Sequence, residues 1–192
     1  MTCVAIIPAR GGSRRIPRKN IRLFHGKPII AYPIQAAKKS GLFGEIIVST
    51  DDEEIAKVAL SYGATSVHVR SPAMAEDEVG TQEVMKHVLE DFDIDRGLAC
   101  CIYPCAPMLS AVTLRNAGRV LYQSATNYVV PVATWLRDPG QFYFGQISAF
   151  REMTDLRMAT LLPIDPATEC DINTECDWLR AENMYLKWKG QG

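Results

Sequence analysis

Short apolar segments alternate with longer amphipathic ones through most of the chain. Five short segments rich in Val, Ile, Ala or Cys are predicted to be buried strands: residues 3–8, 45–49, 64–69, 98–103 and 127–132. The longer segments are predicted to be four helices. The first opens at Pro28, and the second is capped by Thr50 with Glu53 as its reciprocal partner. The third begins near Thr81, and the fourth covers residues 112–123. Parallel neighbours need such long crossover connections. The predicted fold is therefore α/β, a Rossmann-like three-layer sandwich around a mostly parallel sheet.

The last third of the chain is less regular. GQFYFG, residues 140–145, is predicted to be a strand, and residues 174–188 are predicted to be a helix. In that helix Trp178, Ala181, Tyr185 and Trp188 recur at helical spacing, so they share one face. The simplest interpretation is a helix that packs against the rest of the protein.

Composition is that of a compact domain. The 192 residues are 47% hydrophobic and 22% charged, so we expect residues 1–192 to form a single domain. A net charge of −1 argues against a nucleic-acid or membrane partner. Neither a membrane span nor a signal peptide is apparent, so we expect a cytoplasmic protein. The 6 cysteines lack the spacing of a zinc site and are predicted to be buried thiols.

Positive charge is concentrated after the first predicted strand. Residues 8–44 contain nine Lys or Arg and no acid, and six of these cations surround the sequence GGS at residues 11–13. Asp51 and Asp52 follow the second strand, so both features belong to the carboxyl edge of a parallel sheet, where ligands bind. Glycines let backbone N–H groups approach an anion closely. The loop is neither a Walker A motif nor a GxGxxG fingerprint. It is either a phosphate site or a solvated charged loop.

Five sequence blocks carry a resemblance to a known family. They are IIPARGGSRRIPRKN (6–20), VSTDDEEIA (48–56), CCIYPCAP (100–107), DPGQFYFG (138–145) and DINTECDWLRAENMY (171–185). In order and spacing they resemble the CMP-N-acylneuraminate cytidylyltransferases, and GQFY is most similar to the members that act on pseudaminic acid. The resemblance implies a nucleotide-diphospho-sugar transferase-like fold. It also implies transfer of CMP from CTP to a nonulosonic acid, with Mg²⁺ as cofactor and release of pyrophosphate.

The resemblance also implies roles for individual residues. Arg14, Lys19 and Asp171 correspond to the catalytic positions. The implied nucleotide-binding residues are Arg10, Gly11, Gly12, Ser13, Arg14, Lys19, Asn20, Arg70, Gly80 and Thr81. The implied sugar-binding residues are Tyr103, Asp138, Gln141 and Tyr143, although core packing is an equal interpretation for the two aromatic side chains.

The implied metal site departs from the family pattern. Relatives have two aspartates spaced D-x-D before the last helix, and this chain has Asp171-Ile172-Asn173. Asp171 and Asn173 are the predicted metal ligands, and we expect weaker metal binding because an amide carries no charge. Asp177 is equally well explained as a helix-capping residue paired with Thr174, and Asp51 and Asp52 as helix-start charges.

A second departure is a missing segment. Relatives have a long sugar-binding and dimerisation arm between the fifth strand and GQFY, whereas this chain passes directly through Trp135 and Leu136. Either the arm is absent from the protein or this sequence omits it. A homodimer is expected if the arm is present.

The predicted function is CTP-dependent activation of an acidic nine-carbon sugar, with pseudaminic acid ahead of sialic and legionaminic acid. A catalytically weakened or inactive nucleotide-binding relative is the alternative.

Overall fold

The computed structural model describes residues 2–134 and 137–190. Its strands are β1 Cys3–Pro8, β2 Leu23–Phe24, β3 Lys27–Pro28, β4 Glu45–Thr50, β5 Ser66–Val69, β6 Leu98–Ile102, β7 Tyr128–Val132, β8 Phe142–Gln146 and β9 Thr160–Pro163. Its helices are α1 Ala31–Ser40, α2 Glu53–Tyr62, α3 Thr81–Asp91, α4 Ala111–Gln123, α5 Ile147–Arg151 and α6 Glu175–Lys189.

A seven-stranded sheet forms the middle layer, in the order β5-β4-β1-β6-β8-β7-β9. The pairs β5–β4, β4–β1, β1–β6 and β7–β9 are parallel, and β8 is antiparallel to both of its neighbours. The predicted mostly parallel α/β sheet is therefore confirmed. The carboxyl ends of β1, β4, β5 and β6 lie at one edge, where the basic loop begins.

Helices cover both faces of the sheet. Alternate residues of a strand point to opposite faces, so Ala5 and Ile7 of β1 pack with α1, α2 and α4, whereas Val4 and Ile6 pack with α3 and α5. A third cluster joins α6 to the short hairpin of β2 and β3, with Phe24 and Trp178 fully buried. The prediction that α6 is a packing helix is confirmed, and this packing fixes the segment that precedes it.

Two predicted helix starts are wrong. Pro28 does not open a helix, because Lys27 and Pro28 pair with β2 across a tight turn and α1 begins three residues later. Thr50 does not cap α2, since it is the last residue of β4. Asp52 is the N-cap instead, and its carboxylate accepts hydrogen bonds from the backbone N–H of Glu54 at 2.9 Å and of Ile55 at 3.0 Å.

Other details follow the residue types. Cys100, Cys101, Cys105 and Cys170 are buried as predicted, whereas Cys3 is half-buried and Cys176 is exposed, contrary to the prediction. Burial raises the pKa of the Cys101 thiol to about 12. Short elements α5 and β9 had no clear signal in the sequence. Trp135 and Leu136, where the family's arm would be inserted, lie outside the described residues. Among the helices that are described, none is both long enough and apolar enough to cross a bilayer.

Candidate active site

A cleft of 460 Å³ opens at the carboxyl edge of the sheet. The basic loop after β1, the segment between β5 and α3, and the residues after β6 form its walls. Ten of the predicted site residues line it: Arg10, Ser13, Arg14, Lys19, Asn20, Arg70, Thr81, Tyr103, Asp171 and Asn173. Positions distant in sequence therefore meet at the edge where ligands of such sheets bind.

Close packing against α2 holds the start of the basic loop. The N–H of Gly11 donates a hydrogen bond to Asp51 Oδ1 at 2.8 Å. A Cβ atom on Gly11 would lie 2.8 Å from Asp52 Oδ2 and 2.9 Å from Asp52 Cβ, so a side chain does not fit there. Arg18 adopts a left-handed backbone conformation, with φ of 55°, and pairs with Asp52. Asp51 and Asp52, at the start of α2, therefore also hold the basic loop in place.

Asn20 braces the loop from inside. Its Nδ2 donates to the carbonyl oxygen of Arg10 at 2.9 Å, and its Oδ1 accepts from the Cys105 thiol at 3.4 Å. The side chain is 5% exposed. Asn20 borders the cleft as predicted, but its amide is occupied by the protein, so its main contribution is to the shape of the loop.

Asp77 neutralises part of the positive charge, and the sequence did not reveal this. It forms an ion pair with Arg10, and its Oδ2 lies 3.1 Å from Arg14 Nη1. The hydrogen bond from Arg10 lowers the pKa of the Asp77 carboxyl below its usual value. Since Arg14 remains 84% exposed, the pair is accessible to a competing anion.

The loop also reaches the predicted metal site. Lys19 Nζ donates to the carbonyl oxygen of Ile172 at 2.8 Å, and Arg15 Nη2 donates to Asn173 Oδ1 at 2.9 Å. Asn173 Nδ2 in turn donates to Asp171 Oδ2 at 2.7 Å. The amide therefore connects a cation to a carboxylate. Arg15 was not among the predicted site residues, because its pairing with position 173 depends on tertiary structure.

The donor set at this point fits a divalent cation only in a limited way. Mg²⁺ binds hard oxygens and often uses one or two carboxylates, with water and phosphate supplying the rest. Asp171 supplies one carboxylate at the cleft, and Asn173 supplies one amide oxygen. Among the described residues, no group of three His, Cys, Asp or Glu side chains could hold a metal ion. Asp171 and Asn173 thus supply only part of a hard-oxygen ligand set, and the Asn173 oxygen also accepts a hydrogen bond from Arg15.

Asp177 is confirmed as a capping residue. Its Oδ2 accepts from the backbone N–H of Asn173 at 3.0 Å and of Thr174 at 2.7 Å, completing a capping box at the start of α6. The hydrogen bond from the Thr174 hydroxyl is the main cause of a lowered pKa for Asp177. This cap also holds the backbone beside Asp171 and Asn173, the predicted metal ligands.

The predicted sugar residues are only partly at the cleft. Tyr103 lines it, with its hydroxyl 3.4 Å from Thr81 Oγ1 and 3.5 Å from the Tyr143 hydroxyl. Tyr143 donates to Asp138 behind this position, and burial raises the pKa of Tyr143. Gln141 is 2% exposed, and its Nε2 donates to the carbonyl oxygen of Thr168 at 2.8 Å. Among the residues that the structure describes, Gln141 lies outside the cleft lining, and its amide is bonded within the protein, so its sugar contact stays a prediction.

Three predicted glycines lie behind the cleft wall. Within the described part of the chain, Gly11, Gly12 and Gly80 are outside the lining. Gly80 is the N-cap residue of α3 and positions Thr81, which does line the cleft. Their backbone shapes the walls, and the side chains beside them face the cavity.

Arg70 is the most deeply buried cation at the cleft, at 8% exposure. Its Nε donates to Ser49 Oγ at 2.9 Å. One of its terminal nitrogens is fully buried and has no hydrogen-bond partner among the described residues. Burial lowers the pKa of the guanidinium, and the nearby carboxylate of Asp51 opposes this effect. Because Arg70 lines the cleft, its buried charge lies beside the space where an anionic ligand would bind.

The parallel sheet and the cationic cleft at its carboxyl edge define an α/β protein built to bind an anionic ligand at that edge. A similar architecture occurs in a CMP:2-keto-3-deoxy-manno-octonic acid synthetase solved with CTP. The superposition has a TM-score of 0.77 and covers 97% of this chain and 99% of that one, with 12% sequence identity. At that identity the likeness concerns the fold alone.

The family follows from sequence comparison. The family model described as Cytidylyltransferase matches residues 4–144, and the chain belongs to that family. Pseudaminic acid cytidylyltransferase of Campylobacter jejuni is 39% identical over 155 residues, covering 74% of this chain and 67% of the relative. CMP-N,N'-diacetyllegionaminic acid synthase of Legionella pneumophila is 40% identical over 126 residues, which cover 62% of this chain and 53% of that relative.

Proposed function

We propose that this protein transfers CMP from CTP to the anomeric hydroxyl of a nonulosonic acid and releases pyrophosphate. The observation that carries the proposal is the cleft itself. It combines five cations, Arg10, Arg14, Arg15, Lys19 and Arg70, with the carboxylate of Asp171. A triphosphate needs such a set of fixed cations, and the membership in the cytidylyltransferase family supports cytidine as its nucleoside.

In the proposed reaction, the acceptor oxygen forms a bond to the α-phosphorus of CTP and the bond from that phosphorus to the bridging oxygen breaks. The hydroxyl proton passes to solvent, and pyrophosphate leaves with the electron pair. Such transfers need little covalent help from protein, so positioning and electrostatics dominate. Arg14 and Lys19 offset charge on the leaving pyrophosphate, while Arg10 and Arg70 hold the nucleotide in register.

Asp171 and Asn173 are the residues that would hold a magnesium ion. When bound, Mg²⁺ supplies charge neutralisation at the phosphate oxygens. Lys19, through its 2.8 Å hydrogen bond to the carbonyl of Ile172, keeps the metal segment beside the basic loop. Cap formation by Asp177 holds the same segment from the other side.

Pseudaminic acid is the proposed sugar, on the basis of the GQFY sequence and the relative from Campylobacter jejuni. Tyr103 is the proposed contact within the cleft, with Tyr143 and Asp138 supporting it. A homodimer and a single domain over residues 1–192 remain part of the proposal, the dimer being conditional on the arm.

A second candidate is a nucleotide-binding relative with weak or no catalysis. The observation that favours it is Asn173, whose amide is bonded to Asp171 at 2.7 Å where relatives have a second carboxylate. Tight CTP binding without turnover would favour this alternative.

One assay distinguishes the two candidates. Pyrophosphate release is measured with CTP, Mg²⁺ and pseudaminic, legionaminic or sialic acid in turn, and CTP binding is measured in parallel by calorimetry. The proposal expects release with at least one sugar, fastest with pseudaminic acid. Binding without release from any sugar supports the second candidate, and absence of both contradicts the proposed function.

A further inference from the structure

A buried network extends from Arg70 to the far end of α3. Arg70 Nε donates to Ser49 Oγ at 2.9 Å, and that hydroxyl lies 3.0 Å from His68 Nδ1. His68 Nε2 lies 2.8 Å from Asp91 Oδ2. Ser49 is 0% exposed and His68 is 6% exposed, so both are shielded from water, while Asp91 is open to solvent.

The sheet places these side chains together. Ser49 of β4 lies directly opposite His68 of β5 in the parallel register. Arg70 follows His68 by two residues, so both side chains leave the strand on the same side. Asp91 is the last residue of α3, the helix that packs on that side of the sheet.

Hydrogen-bond chemistry fixes the direction of the first link and allows one continuous direction along the rest. A guanidinium can only donate, so the Ser49 oxygen accepts from Arg70 and its hydrogen is free to donate to His68 Nδ1. In this arrangement Nδ1 accepts from Ser49, and Nε2 carries the ring proton and donates to Asp91.

This Ser-His-Asp set is unsuited to nucleophilic catalysis. The Ser49 hydroxyl is fully buried and already bonded to Arg70, so no substrate can reach it. What the set can do is hold Arg70, whose Nε is bonded to Ser49 and whose side chain lines the cleft.

We propose that Ser49, His68 and Asp91 are positioning residues that orient the Arg70 guanidinium toward the nucleotide. The proposal rests on the proposed function in that CTP is taken as the anion that Arg70 binds. Without the network, the buried side chain of Arg70 would have no hydrogen-bonded anchor at Nε, and its order would be lost before the ligand arrives.

A double-mutant cycle tests the proposal with CTP as the probe in calorimetry. Ser49→Ala and His68→Leu are each expected to weaken CTP binding about tenfold. His68→Asn is the matched control, because its amide oxygen can accept from Ser49 in place of Nδ1; it is expected to stay within about threefold of the parent, since it keeps the link to Ser49 and loses only the outer link to Asp91. In an Arg70→Ala background, the His68→Leu effect should vanish. An unchanged tenfold loss in that background would overturn the proposal, since the effect would then not pass through Arg70.

A second readout does not depend on CTP. The Nε–H signal of Arg70, assigned in an ¹⁵N-arginine spectrum by its loss in Arg70→Lys, is expected to exchange with water at least about tenfold faster in His68→Leu and to be retained in His68→Asn. An unaffected signal in His68→Leu contradicts the proposal whatever the affinity for CTP. A signal that responds in a protein that does not bind CTP supports the network and contradicts the proposed function instead.

Discussion

Asn173→Asp gives the proposed metal site the second carboxylate that the family resemblance implies at this position. In the present structure Asn173 Nδ2 donates to Asp171 Oδ2 at 2.7 Å, so the amide partly satisfies the carboxylate that a cation would otherwise bind. The substitution replaces this attraction with the repulsion of two like charges. At about 4 Å and an effective dielectric constant of about 20, that repulsion is about 4 kcal/mol.

Two features reduce that figure. Arg15, at 2.9 Å from Asn173 Oδ1, would pair with the new carboxylate, and Asp171 is exposed to water. If ion pairing and solvent screening remove half to two thirds of the repulsion, about 1.4 to 2 kcal/mol remains for a divalent cation bound between the carboxylates to relieve. Since 1.4 kcal/mol corresponds to a factor of ten, we expect divalent cations to bind about tenfold to thirtyfold more tightly.

Electron paramagnetic resonance of free Mn²⁺ measures this affinity without nucleotide. Asn183→Asp is the matched control, because it adds the same charge at an exposed position of α6. We expect the control to leave Mn²⁺ affinity unchanged. If Asn173→Asp binds Mn²⁺ no more tightly than the parent or the control, then residue 173 does not face the cation and the metal assignment is wrong.

Three further predictions concern the basic loop. Gly11→Ala should lower the free energy of unfolding in urea by about 1–3 kcal/mol, because its Cβ would lie 2.8 Å from Asp52. Gly12→Ala is the control and should lower it far less, because a Cβ there would have nothing within 4 Å. Equal losses in the two variants would contradict the packing of Gly11 against Asp52. Asp52→Ala should cost about 1 kcal/mol at neutral pH. Arg18 lowers the folded-state pKa of Asp52, so the contribution of the Asp52 carboxylate to stability is complete above its unfolded pKa of about 4 and is lost as pH falls through the folded pKa. The difference in unfolding free energy between parent and variant should therefore shrink below about pH 4. A difference that stays constant with pH would contradict the ion pair. Asp77→Asn removes an anion that competes for Arg10 and Arg14, so calorimetry should show CTP binding a few-fold tighter at low salt; weaker binding would mean that Asp77 orders the loop for the ligand.

The sequence was most informative where local pattern and position in the sheet coincide. Apolar runs predicted β1, β4 and β6, and their parallel pairing brought the basic loop and Asp51 to one edge. The capping box of Thr174 and Asp177 is a local pattern over four residues, so it too could be predicted.

Long-range pairing of polar side chains could not be predicted in the same way. Asp77 with Arg10 and Arg15 with Asn173 are each separated by more than 60 residues. His68 showed no partner at useful spacing, because Ser49 and Asp91 meet it only through strand register and helix packing. The resemblance implies a sugar contact for Gln141, and its amide donates to the carbonyl oxygen of Thr168, a partner that sequence similarity does not reveal.

The most direct test of the central claim is pyrophosphate release from CTP with pseudaminic acid and Mg²⁺, comparing the parent with Arg14→Ala. Arg14 is 84% exposed and contributes little packing, so the variant should unfold at the same temperature as the parent. Removing a cation from the leaving pyrophosphate should slow turnover by about tenfold to a hundredfold. Equal turnover in parent and variant, at equal stability, would contradict the assignment of the basic loop to the triphosphate.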